Sequence, residues 1–91
     1  MEEVIELALE SPDGIIDCRL EPQTNDGTLT YSATILYPHT VNGFSRSEIY
    51  CHTMQLDARS NSYVFDAGEE IHPKISKLET QLSAAIRDSG K

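Results

Sequence analysis

The sequence predicts an α+β domain in which an antiparallel β-meander of four to five strands is packed by one C-terminal amphipathic α-helix, in two layers. Apolar and polar residues alternate in short segments between turn-forming residues throughout 1–66, which is typical of strands. Residues 70–89 instead carry apolar residues at helical spacing. Because 91 residues suffice for one core, we expect a single domain over 1–91, with the sheet in 1–66 and the helix in 70–89.

The first two segments predict a β-hairpin. Residues 3–10 and 16–21 both alternate, and Ser11-Pro12-Asp13-Gly14 between them is typical of a tight turn. A short helix over residues 3–10 is the alternative, because Glu, Leu and Ala favour helices. The hairpin register that puts both apolar sets on one face pairs Leu9 with Ile16, Leu7 with Cys18, Ile5 with Leu20, Glu6 with Arg19 and Ala8 with Asp17. The opposite face then carries Glu6, Glu10, Asp17 and Glu21, with Arg19 among them.

Residues 22–43 predict a turn, a strand and a loop. Pro22–Gly27 contains Asn-Asp-Gly and predicts a turn. Residues 28–37 form the clearest strand, with Leu29, Tyr31, Ala33, Ile35 and Tyr37 on one side and Thr or Ser at 28, 30, 32 and 34 on the other. We expect Pro38 to end this strand and residues 38–43 to form a loop.

Residues 44–65 predict two further strands, a long one and a short return strand. In residues 44–57, Ile49 and Cys51 fall on one face, whereas Tyr50, Met54 and Leu56 fall on the other. Since both faces are apolar, the pattern does not indicate which one is buried. Residues 58–62 then predict a turn and 63–65 the return strand.

The helix is predicted by one apolar stripe. Its members are Ile71, Ile75, Leu78, Leu82 and Ile86. Pro73 has no N–H and must lie in the first turn, so the helix is expected to begin near residues 70–73 and to end near Ser89. The flanking charges complement the helix dipole, with Glu69 and Glu70 near the N-terminal end and Arg87 and Lys91 near the C-terminal end. Gly90 can terminate the helix.

The net charge of −8 is concentrated in the first quarter of the chain. Residues 1–26 hold eight of the 15 acidic residues and only one of the seven basic residues. Because this field repels phosphate backbones and anionic lipid, we expect no direct nucleic-acid binding and no membrane contact, and instead a protein partner with a basic surface. The sequence contains no apolar run of membrane length, no positively charged leader and only two cysteines, so we expect a cytoplasmic location.

No motif predicts a catalytic residue, a cofactor or a metal. The cysteines and histidines lack zinc-site spacing, and the adjacent Cys51 and His52 would point to opposite faces of a strand. A Cys18–Cys51 disulfide is disfavoured, because two strands of a meander would separate the residues by about 9–10 Å.

The predicted partner-binding residues lie in two places. They are Glu6, Glu10, Asp17 and Glu21 of the acidic hairpin, and Val41 and Phe44 at the loop that follows the strand over residues 28–37. Phe44 folding back into the core is the alternative for that loop. The leading hypothesis is a non-catalytic protein-binding module, in its sharper form a phage-type inhibitor or nucleic-acid mimic that occupies a basic surface of its partner. The alternatives are a structural or homo-oligomerisation domain, such as a homodimer, and a small ligand-binding protein or enzyme.

Overall fold

Five antiparallel strands follow one another in sequential order, and a C-terminal helix packs on one face of their sheet. The computed structural model describes residues 4–89, apart from the side chain of Asn25. The strands are β1 (Ile5–Ser11), β2 (Gly14–Asn25), β3 (Thr28–Val41), β4 (Phe44–Asp57) and β5 (Ser62–Phe65). The helix consists of two segments, α1 (Pro73–Ser76) and α2 (Glu79–Ser89). The predicted meander and helix are thus confirmed.

The β1–β2 hairpin has the predicted register, with all five expected pairs in place. Ser11 lies opposite Gly14, and the Ser11 hydroxyl donates to the Gly14 carbonyl at 2.7 Å. Gly14 has a φ of 133°, a conformation that side-chain-bearing residues rarely adopt. The alternative helix is therefore not formed, and Glu3, with which the predicted strand begins, lies outside the described residues.

The strands β2 and β3 are longer than predicted because both run through a proline. The turn expected over residues 22–27 comprises only Asp26-Gly27, because β2 continues to Asn25. The loop expected over residues 38–43 is wrong, since β3 continues to a two-residue turn at Asn42-Gly43. Pro22 lies beyond the end of the β1 ladder, and Pro38 lies beyond the end of the β2 ladder. Each missing N–H points toward the side on which no described strand pairs with that proline, so neither proline removes a bond of the described ladders.

The helix covers only one face of the sheet, termed the inner face. The buried apolar residues are Ile16, Cys18, Leu20, Tyr31, Ala33, Ile35, Tyr37, Met54, Phe65, Ile75, Leu78, Leu82 and Ile86. The sequence did not indicate which face of β4 is buried, and the structure shows that it is the face of Met54. Met54 is fully buried on the inner face, whereas Ile49 and Cys51 are exposed on the outer side of the sheet.

The helix carries the predicted stripe from Ile75 to Ile86, whereas Ile71 precedes the helix and is partly buried. The helix departs from regular α geometry at Lys77 and Leu78. Pro73 is its first residue, and the side chain of His72 caps it by accepting from the Lys74 N–H at 3.1 Å. Glu69 does not act at the helix N-terminus as expected, because its carboxylate accepts the Thr53 N–H at 2.9 Å. Gly90 and Lys91 lie outside the described residues.

Polar side chains of α2 satisfy the outward-pointing backbone of β5. The Ser83 hydroxyl accepts the Tyr63 N–H, and the Glu79 carboxylate accepts the Phe65 N–H, both at 2.9 Å. The helix also contacts β1, so the sheet curls around it from both sides. This edge of β5 is therefore closed to further strand pairing.

Candidate functional site

The face of the sheet opposite the helix, termed the outer face, is uncovered within the described chain. The register places alternate residues of each strand there. They include Glu6, Ala8 and Glu10 of β1, Ile15, Asp17, Arg19 and Glu21 of β2, Thr34 and Leu36 of β3, and Ile49 and Cys51 of β4. The outer face therefore carries the predicted acidic residues.

All four predicted hairpin acids, Glu6, Glu10, Asp17 and Glu21, are exposed on the outer face. Arg19 is the one base among them, and its Nη1 lies 3.5 Å from Glu6 Oε1. These two side chains are 54% and 71% exposed, so water and salt screen the pair and it adds little to stability. The first hairpin consequently presents a net negative surface to solvent.

An open groove of about 520 Å³ crosses the outer face between β1 and β3. Its lining residues are Glu6, Leu7, Ala8, Asp17, Cys18, Arg19, Thr34 and Leu36. Of the predicted acids, Glu6 and Asp17 line the groove, whereas Glu10 and Glu21 lie on the same face outside its lining. The groove thus combines carboxylates with apolar wall atoms.

Three large apolar side chains on the outer face were missed by the sequence reasoning as part of a site. Ile15, Leu36 and Ile49 are 52%, 37% and 65% exposed. Leu36 lies opposite Asp17 on one side and opposite Ile49 on the other. The sequence does contain a sign of this patch, because Ile15 and Leu36 each occupy a position at which the alternation of their strand predicts a polar residue. Together they add an apolar patch to the acidic face.

Val41 and Phe44 lie elsewhere, at the tip of the β3–β4 hairpin. They are paired with each other and are 50% and 74% exposed, so Phe44 does not fold into the core. By the alternation of the two strands their side chains fall on the side of the inner face, opposite the acids. The structure therefore separates the two parts of the predicted binding surface.

A second polar cluster lies on the inner face below that tip. Tyr50 donates its hydroxyl proton to Glu48 Oε2 at 2.9 Å, and His39 Nε2 lies 3.7 Å from the same oxygen. The hydrogen bond to Glu48, with smaller contributions from desolvation and the Glu48 and Tyr37 charges, raises the pKa of Tyr50. Lys74 Nζ lies 5.4 Å from the centre of the Tyr37 ring. The cluster ties α1 to the base of the hairpin.

The cysteines and His52 do not converge on one site. Cys18 is buried on the inner face and Cys51 is exposed on the outer face, so the two thiols are free. Burial, together with the nearby Asp17 charge, raises the pKa of the Cys18 thiol from 9.0 to about 11. Within residues 4–89, no three His, Cys, Asp or Glu side chains are grouped in a way that could hold a metal ion.

Comparison of the chain with protein-family models, curated proteins and solved structures gives no match. Among the described residues, none of the helical segments has the length and apolar character needed to cross a bilayer.

Proposed function

We propose that this chain is a non-catalytic protein-binding module that docks the outer face of its sheet on a basic surface of a partner protein. The observation that carries the proposal is that Glu6, Glu10, Asp17 and Glu21 come from two strands and share one face that nothing in the described chain covers. Opposite charge on the partner would steer association and fix orientation.

The apolar side chains between the acids supply the short-range part of this interface. Ile15, Leu36 and Ile49 are exposed beside the carboxylates, and removal of such surface from water is favourable by about 25 cal/mol per Å². A partner surface that alternates Lys or Arg with apolar residues fits this pattern. Charge would then determine the rate and specificity of docking, and the apolar contacts would slow dissociation.

In its sharper form, the proposal makes the chain an inhibitor that occupies the nucleic-acid groove of a basic protein. Asp17 lies opposite Ala8 and is therefore a diagonal neighbour of both Glu6 and Glu10, about 7–8 Å away, which gives a rigid array of negative charge. Such an array competes with phosphates for the same Lys and Arg side chains. Competition by added DNA or RNA for the captured partner distinguishes this form from general protein binding.

The test is affinity capture from native lysate over a salt series, followed by affinity measurement with each purified captured protein. The decisive variant combines Glu10→Lys and Glu21→Lys, two exposed outer-face positions without an ion pair among the described residues. We expect binding to weaken steeply as salt rises, and the variant to lose at least about tenfold in affinity.

The matched control combines Glu70→Lys and Asp88→Lys, which change the net charge equally at exposed positions outside the sheet. If the outer face is the docking surface, this control retains affinity while the outer-face variant loses it. Equal losses in the two variants would mean that net charge alone attracts the partner, and equal retention would exclude the outer face.

The alternative function is a structural or homo-oligomerisation domain without a dedicated charged partner. The exposed tip residues Val41 and Phe44 favour it, since they lie on the side of the sheet away from the acids. Light scattering on the purified chain separates the alternatives: a tight dimer whose formation is insensitive to the outer-face variant, together with no captured partner, would favour the structural role.

A further inference from the structure

The edge of β4 between Phe44 and Cys51 has no neighbouring strand within the described chain. β5 pairs only with Met54–Asp57. Next to that pairing, the Thr53 carbonyl accepts the Asp66 N–H and the Thr53 N–H donates to Glu69, both at 2.9 Å. From Cys51 back to Phe44, no other described residue hydrogen-bonds to this side of β4.

The backbone groups that this edge presents can be named from the position of Thr53. Its N–H and C=O both point away from β3, and alternate residues of a strand point the same way. Ser45, Ser47, Ile49 and Cys51 therefore direct their backbone groups outward at the open edge. A row of unpaired N–H and C=O groups is a template for another strand.

The side chains along the same segment add apolar surface. Phe44 at 74% and Ile49 at 65% are the most exposed large apolar side chains of the described residues. Natural edge strands are usually protected by proline, lysine, a bulge or a covering element. The segment Phe44–Cys51 contains neither proline nor lysine, and β5 ends before it.

We propose that a second copy of this chain pairs antiparallel with β4 across a two-fold axis at Ser47. In this register Arg46 lies opposite the partner's Glu48, and the same pair repeats on the other side of the axis. Phe44 lies opposite the partner's Tyr50, and Ser45 lies opposite the partner's Ile49. Residues with outward backbone groups then face each other, which allows about six interstrand hydrogen bonds.

The charges select this register over its neighbours. Backbone direction requires odd-numbered residues to face odd-numbered residues, so the axis must pass through a residue rather than between two. An axis at Glu48 would place two Glu48 carboxylates opposite each other, and an axis at Arg46 would do the same with two guanidinium groups. Directly opposed like charges destabilise an antiparallel pair, whereas opposite charges stabilise it.

The other edge strand, β1, is a poor site for self-pairing. Its outer-face residues are Glu6, Ala8 and Glu10. An antiparallel pair of β1 strands centred on Ala8 would set Glu6 against the partner's Glu10 twice. The carboxylates thus protect β1, while β4 carries one acid and one base placed symmetrically about Ser47.

This dimerisation does not use the acidic residues of the proposed docking surface, although Ile49 borders both surfaces. A two-fold axis normal to the sheet keeps both helices on one side and both acidic outer faces on the other, in one continuous sheet. The β4 edge and the acidic hairpin are separated by β3, so the outer-face variant Glu10→Lys with Glu21→Lys should leave the dimer intact. Loss of docking and loss of dimerisation are therefore distinguishable.

The test is sedimentation equilibrium of the full chain from about 1 to about 300 µM, the range in which small interfaces associate. We expect a concentration-dependent dimer. Ser47→Pro removes an outward N–H without removing a bond to β3, and should raise the dissociation constant at least about tenfold. Arg46→Glu should have a similar effect, because it opposes like charges at two places in the dimer.

The rescue variant combines Arg46→Glu with Glu48→Arg, which restores opposite charges in the Ser47-centred register only. Recovery of the dimer in the rescue variant supports the proposal, with circular dichroism of every variant confirming that each remains folded. A chain that stays monomeric at the highest concentration overturns it. A dimer that both Ser47→Pro and Arg46→Glu leave unchanged, or that the rescue variant fails to recover, also overturns it.

Discussion

Leu36 and Ile49 lie directly opposite each other across the β3–β4 ladder, on the face that the helix leaves uncovered. Cross-strand pairs of this kind have Cβ atoms about 4.5–5.5 Å apart, so the two side chains form one apolar surface. Asp17 lies on the other side of Leu36. This apolar patch beside a carboxylate is a feature of a docking surface rather than of the core.

We therefore expect replacement of Leu36 and Ile49 with Thr to weaken partner binding without unfolding the chain. Both side chains are exposed, so the free energy of unfolding should change by less than about 1 kcal/mol. The control is Ile35→Ala, at a fully buried position beside Leu36, which should cost about 2–5 kcal/mol. Urea denaturation measures the stability of the variants, and the affinity for the captured partner measures the change in binding. A large destabilisation by the two Thr substitutions would contradict the exposure of Leu36 and Ile49.

Arg19 should oppose binding to a basic partner, because it is the only base among the hairpin acids on the outer face. Arg19→Gln leaves Glu6 unpaired and makes the groove more negative. Stability should hardly change, since the pair is more than half exposed, whereas the association rate with a basic partner should rise several-fold at low salt. Stopped-flow or surface-plasmon measurements at two ionic strengths check this, and an unchanged or slower rate would argue against electrostatic steering by this face.

Ser83 should contribute to stability through its hydrogen bond with β5. It is 5% exposed, and Ser83→Ala leaves the Tyr63 N–H without that acceptor. The expected cost is about 1–3 kcal/mol in the free energy of unfolding. Ser76→Ala is the matched control at an exposed helical position and should change stability by about 0.5 kcal/mol or less. Equal values in urea denaturation would show that the hydrogen bond between the Tyr63 N–H and Ser83 contributes nothing measurable to stability.

Cys18 should make stability fall with rising pH in the alkaline range. Its thiol has a pKa of about 11 in the folded chain against 9.0 for an unperturbed thiol, mainly because it is buried. Between those values the unfolded chain has lost a proton that the folded chain keeps. The stabilisation from the protonated thiol is therefore fully present below about pH 9 and declines by about 1.4 kcal/mol per pH unit until about pH 11. Urea denaturation at about pH 8 and about pH 10 should therefore show a smaller decline in Cys18→Ala than in the parent chain. Parallel declines would contradict the assignment.

The hairpin β1–β2 could be predicted in register because its information is local. Alternation fixes which residues share a face, and Pro12-Asp13-Gly14 fixes the turn, so a one-residue slip would expose the apolar set. The same locality explains the confirmed helix stripe and the position of Pro73. The exposure of the four acids also followed from this alternation.

The ends of β2 and β3 could not be predicted in the same way. Whether Pro22 or Pro38 ends a strand depends on whether a neighbouring ladder needs its N–H, and this is known only once all strands are placed. The inner face of β4 was undetermined because apolar residues lie on both sides of it. The groove required the position of Leu36 relative to Asp17, which follows from pairing between β2 and β3 rather than from either segment alone.

The two hydrogen bonds that β5 donates to Ser83 and Glu79 mean that the helix protects the edge of the sheet as well as packing on its face. If α2 detaches, the backbone of β5 becomes a second open edge beside the unpaired stretch of β4, and the apolar inner face is exposed at the same time. Exposed edges and exposed apolar surface together favour amyloid-like stacking. Weakened helix packing, for example by truncation of Leu82, is therefore expected to cause precipitation rather than a soluble unfolded chain.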